Sequence, residues 1–335
     1  MPSYIIRRLL LLIPTVFVAL SFLFFLFFLL PGDPVDLIVG GADRTVDPGV
    51  IARARARYGL DDPILVQFKD YWLRTLRWDL GESFLNGRSV NELLGERAVN
   101  SARLSVWAII IEIIVGVTVG LISAIKRYSI ADKLTTIGTA AAAAVPVFVL
   151  GFVFQYLFAV YPNQHNWPEW ARLRTSRLGP DEWFLFFIPQ GEQWRYLILP
   201  ALTLACVSTA LAARMMRGSM LEVLQADYMR TARSKGLTER AIVVRHGLRN
   251  ALIPVVTLIG LDFGTVIGAA VLTETVFSWP GLGFTIADAV GDRDLPVILG
   301  LTLVVVIVYA LVNLLVDISY AWFDPRIRLG ERGKS

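Results

Sequence analysis

Six long apolar runs punctuate this chain, separated by polar segments of very unequal length. They cover residues 9–30, 104–125, 134–160, 197–213, 251–277 and 297–322. A helix rises about 1.5 Å per residue, so each run is predicted to cross a hydrocarbon layer as a helix. The fourth run is the shortest, and its first helical turn is expected near Trp194. The pattern predicts an all-α integral membrane protein with six transmembrane helices and both termini on the same side. It also predicts a helical insertion between the first two spans.

Composition agrees. Of 335 residues, 55% are hydrophobic and only 18% are charged, below the quarter typical of soluble domains; mean hydropathy is +0.59. A net charge of +4 gives no reason to expect nucleic acid as a partner. The lone Cys206 lies in an apolar run, which excludes a disulfide within the chain and makes a thiolate metal site a poor expectation. Arg7 and Arg8 before the first run resemble the front of a secretory signal. A signal's apolar core is roughly 7–15 residues long and ends in small residues; here the run ends Leu-Leu-Pro-Gly-Asp-Pro. An uncleaved first span is expected.

Charge assigns the sides. With the N-terminus in the cytoplasm, the inside segments are the N-terminus, 126–133, 214–250 and 323–335, and they carry 17 Lys/Arg against 6 Asp/Glu. The outside segments carry 15 against 18, and most of that basic charge lies in 31–103, long enough for the positive-inside rule to weaken. Segment 214–250 decides the matter with eight basic residues. The resulting division is a first span (1–30), an extracytoplasmic helical segment (31–97), a five-helix core (98–322) containing cytoplasmic segment 219–250, and a cytoplasmic tail (323–335).

The extracytoplasmic segment has order of its own. Asp47-Pro48 starts a helix that Gly59 ends, and Asp62-Pro63 starts another. In the second, Ile64, Leu65, Phe68, Trp72 and Leu76 share a face that is expected to pack on the bundle or rest at the lipid interface. Segment 161–195 carries Trp167, Trp170, Trp183 and Trp194, as an interfacial aromatic belt does. The alanines at 140–144 read as a close-packing helix face.

Catalytic constellations are missing from the pattern. His165 and His246, the two histidines, fall on opposite sides of the membrane, so they cannot form a metal or acid–base pair within one chain. The tail Gly333-Lys334-Ser335 mimics the end of a phosphate-binding loop, but Arg328 stands where its first glycine belongs. No cofactor site is expected, and an ATP-driven process would need another polypeptide as its ATPase. Four acidic residues lie in the spans: Glu112, Asp262, Glu274 and Asp317. Each costs about 2.5–3.5 kcal/mol at mid-bilayer, so they should face protein or water. Glu274 and Asp317 lie near helix ends. Glu112 and Asp262 lie deeper and are candidates either for lining a pathway or for bonding between helices.

The most informative stretch is QADYMRTARSKGLTERAIVVRHGLRNALIPV from Gln225. Residues 215–234 are helix-forming, Gly236 offers a left-handed stop, and Thr238 can cap a second short helix from Glu239 to about Leu248. Asn250 then precedes the fifth span, with Pro254 in its first turn. The product is a basic helix–turn–helix elbow with an apolar ridge of Ile242, Val243 and Val244, suited to docking a partner. A loop that only fixed orientation would explain the charge but neither the caps nor the ridge.

This elbow resembles the coupling segment of bacterial binding-protein-dependent import permeases, whose general pattern is E-A-A, three residues, Gly, nine residues, then I-x-L-P. Thr231 and Ala232 stand for the two alanines, Arg230 for the glutamate, and Gly236 for the glycine. His246-Gly247-Leu248-Arg249 occupy the last place, with Arg249 where the pattern has proline. The version KGLTERAIVVRHGLRNALIP is similar to that of the oligopeptide, dipeptide and nickel branch. YIIRRLLLLIP, LPGDP, YGLDDPILVQFKDYW, DLGESF, ETVFSWPGLG, RDLPVILG and NLLVDISYAWFDPRIR resemble, in order along the chain, the first of that branch's two permease subunits.

The resemblance implies a type I ABC importer permease fold in the bacterial inner membrane. It implies a heterodimer with a second permease, two ATPase subunits that bind ATP and magnesium, and an extracytoplasmic substrate-binding protein. It implies that Ala232, Gly236, Arg240, Ile242, Val243, Val244, Arg245, His246, Leu248, Arg249 and Asn250 form the ATPase-coupling segment, and that Trp279, Pro280, Gly281 and Gly283 form an outer gate or a dock for the binding protein. Di- or oligopeptides are the expected substrates, with nickel chelates or short oligosaccharides as the alternative. An ATP-independent secondary transporter, or a scaffold or receptor without transport, is the competing class; the inverted halves common among secondary transporters are not visible.

Overall fold

The computed structural model describes residues 2–29, 55, 59–175, 183–185 and 187–323, with backbone alone for 2–9, 27–29, 263, 267 and 317–323. The expected helix between Asp47 and Gly59 lies outside the described residues, as does tail 324–335. By packing, the chain falls into two units: residues 1–101 with 280–314, and residues 102–279 with 315–335.

The first unit contains α1 (Pro2–Leu29) and α2 (Ile64–Thr75). It also holds the first turns of α3 (Val90–Ile125), α9 (Leu282–Gly291) and most of α10 (Leu295–Phe323). Aromatic edges and faces join α1 to α2: Phe24 meets Phe68 at 5.4 Å and Tyr71 at 5.7 Å, and Phe17 meets Trp72 at 4.9 Å. The predicted apolar stripe therefore divides. Phe68 and Trp72 pack on the first span, while Ile64, Leu65 and Leu76 remain exposed. The core is completed by Leu80, Phe84, Val90 and Leu93 against Leu295, Leu299 and Leu301. Ser83 Oγ donates to Asp294 Oδ2 at 2.5 Å, and the Phe84 N–H donates to Oδ1 at 3.1 Å, so DLGESF and RDLPVILG meet through a buried carboxylate.

The second unit is built around α6 (Gln193–Gln225). Packed on it are α3, α4 (Ile130–Ala144), α5 (Val147–Gln164) and α8, which runs continuously through 239–276. A short helix within the expected elbow, α7 (Asp227–Ser234), precedes α8. Close approach on α6 is made possible by small residues, as helix pairs in lipid require. A Cβ at Gly116 would lie 2.9 Å from that of Ala212, and one at Gly120 would lie 2.8 Å from that of Met216.

Among the described residues, five helices are long and apolar enough to cross a membrane, and α1 adds the apolar stretch Leu10–Leu26. Several expected boundaries move. The second span belongs to a helix of 36 residues, which runs unbroken through the expected boundary at 97/98 and carries a π-helical turn at Glu112–Gly116. The third is interrupted: Pro146 forces Val145 into extended backbone (φ −94, ψ 132), so α4 stops and α5 begins anew. The alanines at 140–144 do not form a packed face within this chain; Ala140, Ala141, Ala143 and Ala144 are exposed. Among the described residues the all-α expectation has one small exception, a hairpin pairing β1 (Trp183–Phe184) with β2 (Ile188–Pro189).

Candidate coupling site

Thirty-three residues make α6 about 50 Å long, more than the ~30 Å of a hydrocarbon core, so it projects well beyond its apolar run. It ends at Ala226, whose extended backbone (ψ 149) redirects the chain into α7. Gly236 then takes φ +74, a left-handed conformation that glycine adopts without steric cost. Thr238 accepts from the Ala241 N–H at 3.4 Å and opens α8. Across this turn Arg233 Nε donates to Glu239 Oε1 at 2.8 Å. The turn at Gly236 and the cap at Thr238 lie where the pattern placed them, while the helix expected over 215–234 is broken at Ala226.

The second helix of the elbow does not end near Leu248. Gly247 is helical (φ −78, ψ −58), and a π turn over Ile242–Gly247 absorbs the register change into the fifth span. Elbow and span are one rod, so Asn250 is not a connection and Pro254 lies well inside a helix. Asn250 instead donates to the Tyr228 hydroxyl at 3.1 Å and to the His246 carbonyl at 3.1 Å, stapling α8 to α7.

The expected apolar ridge is corrected. Ile242 is fully buried in a small core with Met229 and Ala232, flanked by Val223, Leu224 and Ala226. Val243 packs on the main core of the unit, and Val244 alone of the three is exposed, at 54%. A helix turning about 100° per residue cannot present three consecutive side chains on one side. Val244 shares the elbow's surface with Leu237, Tyr228, Arg240, Arg245 and Arg249, all exposed; His246 and Leu248 are half-buried.

Two anchors of the elbow region escaped the sequence reading. A Cβ on Gly247 would lie 2.7 Å from Met220 Cε, so this glycine seats the elbow against α6. One turn earlier on α6, Arg217 donates through Nε and Nη2 to both oxygens of Asp132 at 2.7 and 3.0 Å. Asp132 also accepts from Ser123 Oγ at 2.5 Å and the Tyr128 N–H at 2.9 Å. These donors hold the Asp132 carboxyl well below the usual range, the Arg217 bond most of all. Nothing in a two-state apolar pattern marks a short loop's aspartate as the partner of an arginine 85 residues on.

The other candidates are dispersed. Glu112 is 1% exposed in the π turn of α3, and neither of its carboxylate oxygens has a hydrogen-bond partner within the described residues. Asp262 is half-buried on α8, where the Thr265 hydroxyl donates to its side chain. Glu274 is fully buried near the end of the same helix. Asp317 lies on α10, its side chain outside the described residues. Trp279 is 1% exposed, Gly281 and Gly283 are buried, and the Pro280 carbonyl accepts from Asn100 Nδ2 at 3.0 Å. The Leu282 N–H donates to Ser101 Oγ at 2.7 Å. SWPGLG is thus a pinned turn rather than an open surface. Among the described residues, no group of three or more His, Cys, Asp or Glu could hold a metal ion.

Comparison with known proteins is consistent along the whole chain. The family described as binding-protein-dependent transport system inner membrane component matches residues 116–329, and its N-terminal counterpart matches residues 1–121. The probable peptide ABC transporter permease protein y4tP of Sinorhizobium fredii is 39% identical over 328 residues, 98% of this chain and 100% of that one. The glutathione transport system permease protein GsiC of Salmonella typhimurium is 38% identical, covering 98% and 99%, and GsiC of Pectobacterium atrosepticum is 39% identical with the same coverage. An amino acid ABC transporter crystallised with histidines superposes with a TM-score of 0.48 and 13% identity, over 68% of this chain and 92% of that one. The chain therefore belongs to the inner membrane components of binding-protein-dependent transport systems: it is a multi-pass, non-catalytic permease of an ABC importer, whose work depends on separate ATPase and binding-protein partners.

Proposed function

We propose that this permease pairs with a second, non-identical permease and imports di- or oligopeptides handed over by an extracytoplasmic binding protein. Both termini and segment 219–250 lie in the cytoplasm, and two ATPase subunits bind ATP and magnesium there, with no cofactor held by this chain. Segment 31–97 faces outward. The observation that carries the coupling role is the geometry of the elbow: a left-handed glycine, a capped turn, and an exposed surface of Val244, Arg240, Arg245 and Arg249 on a rod continuous with a membrane-spanning helix. A push on the elbow then moves the span itself. Such a lever converts closure of an ATPase pair into a swing between inward-open and outward-open states, with hydrolysis resetting it. The peptide cargo is supported by relatives named for peptide and for glutathione, itself a tripeptide.

The second role concerns the interior. Glu112 and Asp262 lie on helices that pack on the same α6, and the buried Glu112 carboxylate, without a hydrogen-bond partner among the described residues, is costly to keep unless it serves a pathway or a facing helix. Reconstitution of the complete complex in vesicles tests the whole reading. ATP-dependent uptake of labelled dipeptide, tripeptide or glutathione is expected, and uptake without an ATPase would overturn it. Uptake only of a nickel chelate or an oligosaccharide would keep the machinery and replace the cargo.

A further inference from the structure

We propose that Asp132 and Arg217 are positioning residues for transport: they form a clasp that carries the elbow's displacement from α6 into the α3–α4 hairpin. This rests on the reading of 219–250 as the ATPase-coupling segment.

The cytoplasmic end of α6 has two lateral attachments within one helical turn. Gly247 packs on Met220, which brings the elbow's motion to α6. Three residues earlier, Arg217 grips Asp132, the third residue of α4, through a two-point bond of 2.7 and 3.0 Å. The same carboxylate accepts from Ser123 in the last turns of α3 and from the backbone of Tyr128 in the connection. Tyr128 holds φ +64 there, a conformation costly for a residue with a Cβ, and such strain persists only where surroundings over-determine it. One 4%-exposed carboxylate therefore joins the ends of α3, α4 and α6.

Stability alone is a weak reason for such a device, because buried ion pairs replaced by packed apolar groups are often no less stable. What a planar guanidinium on a carboxylate adds is direction: both oxygens are held, so the hairpin cannot rotate independently of α6. An apolar contact at the same place would let the helices slide. The clasp thus makes the hairpin follow the lever.

The test uses the assembled transporter in vesicles and reads substrate moved per ATP hydrolysed, alongside melting temperature. Arg217→Lys keeps the charge and loses the two-point grip, and Asp132→Asn keeps the shape. Both are expected to lower the transport-to-hydrolysis ratio about tenfold, the range of energetic coupling through such networks. Should Asp132→Asn fail to assemble, Arg217→Lys decides. A wild-type ratio in Arg217→Lys overturns the proposal, and so does a loss of transport that only tracks a lowered melting temperature. Gly236→Val, measured in parallel, separates the two levels. If it uncouples while the clasp variants do not, only the clasp fails; if it too is fully coupled, the reading of the elbow fails.

Discussion

A side chain at Gly120 would collide with the backbone oxygen of Ala213 and come within 2.8 Å of Met216 Cβ. The next-to-last turn of α3 thus rests directly on the main chain of α6, at the level just before Arg217 and the elbow's seat on Met220. Backbone cannot yield as a flexible side chain can. Gly120→Val is expected to cost about 1–3 kcal/mol of packing, seen as a lower melting temperature in detergent. Gly138→Val is the control, since nothing lies within 4 Å of a Cβ there. Equal melting of the two variants would refute the close approach.

At Gly236 the constraint is conformational rather than spatial. No atom lies within 4 Å of an added Cβ, but φ is +74. Gly236→Val must enter the left-handed region at a cost of roughly 1–2 kcal/mol, and is expected to weaken uptake and ATPase stimulation without loss of membrane insertion. Gly236→Asn, which tolerates that region, should keep most of the uptake. Uptake equal to wild type in the valine variant would sink the coupling assignment.

Burial separates Ile242 from its neighbours. Ile242→Ala removes a fully buried side chain from a core of few residues and is expected to cost about 2–5 kcal/mol, appearing as proteolytic sensitivity of the elbow. Val244→Asp, Arg240→Glu and Arg245→Glu alter exposed positions and should leave the fold intact while loosening co-purification of the ATPases. An undisturbed complex in all three exposed variants would move the docking surface elsewhere.

Two carboxylates respond to pH with opposite sign. Burial pushes the Asp294 carboxyl above its ordinary value of 3.8. The native state then holds that proton more tightly than the unfolded chain, so its contribution is fully present below 3.8 and fades as pH rises through the raised native value. Asp132 is held below 3.8 by Arg217, so its contribution is present above 3.8 and is lost as pH falls below it. Asp294→Asn should therefore flatten the part of the melting profile just above pH 3.8, and Asp132→Asn the part below it. Identical profiles for the two variants would show that these groups do not set the response.

Much of the elbow was legible because its signals are local. Gly236, Thr238 and the basic residues act within a few positions of themselves, and turn and cap followed from them. The exposed ridge was misread because three consecutive apolar residues say nothing about which of them faces the partner: Ile242 had the elbow's own core to fill. The break at Pro146 was available to a local rule, since proline disfavours helix in the residue before it, but the apolar run was continuous and length prevailed. For Glu112 and Asp262 the pattern could supply depth only, not partners.

Six apolar runs, their spacing and the distribution of Lys and Arg were enough to establish a membrane-spanning helical protein, because hydrocarbon admits few structures and charge biases their direction. The motifs in order were enough to indicate its family. Tertiary structure decided the rest: that elbow and fifth span are one rod, that Gly247 seats that rod on Met220, and that Asp132 finds Arg217. These depend on which residues meet across long separations in the chain. Helical periodicity repeats every few residues and carries no record of such meetings.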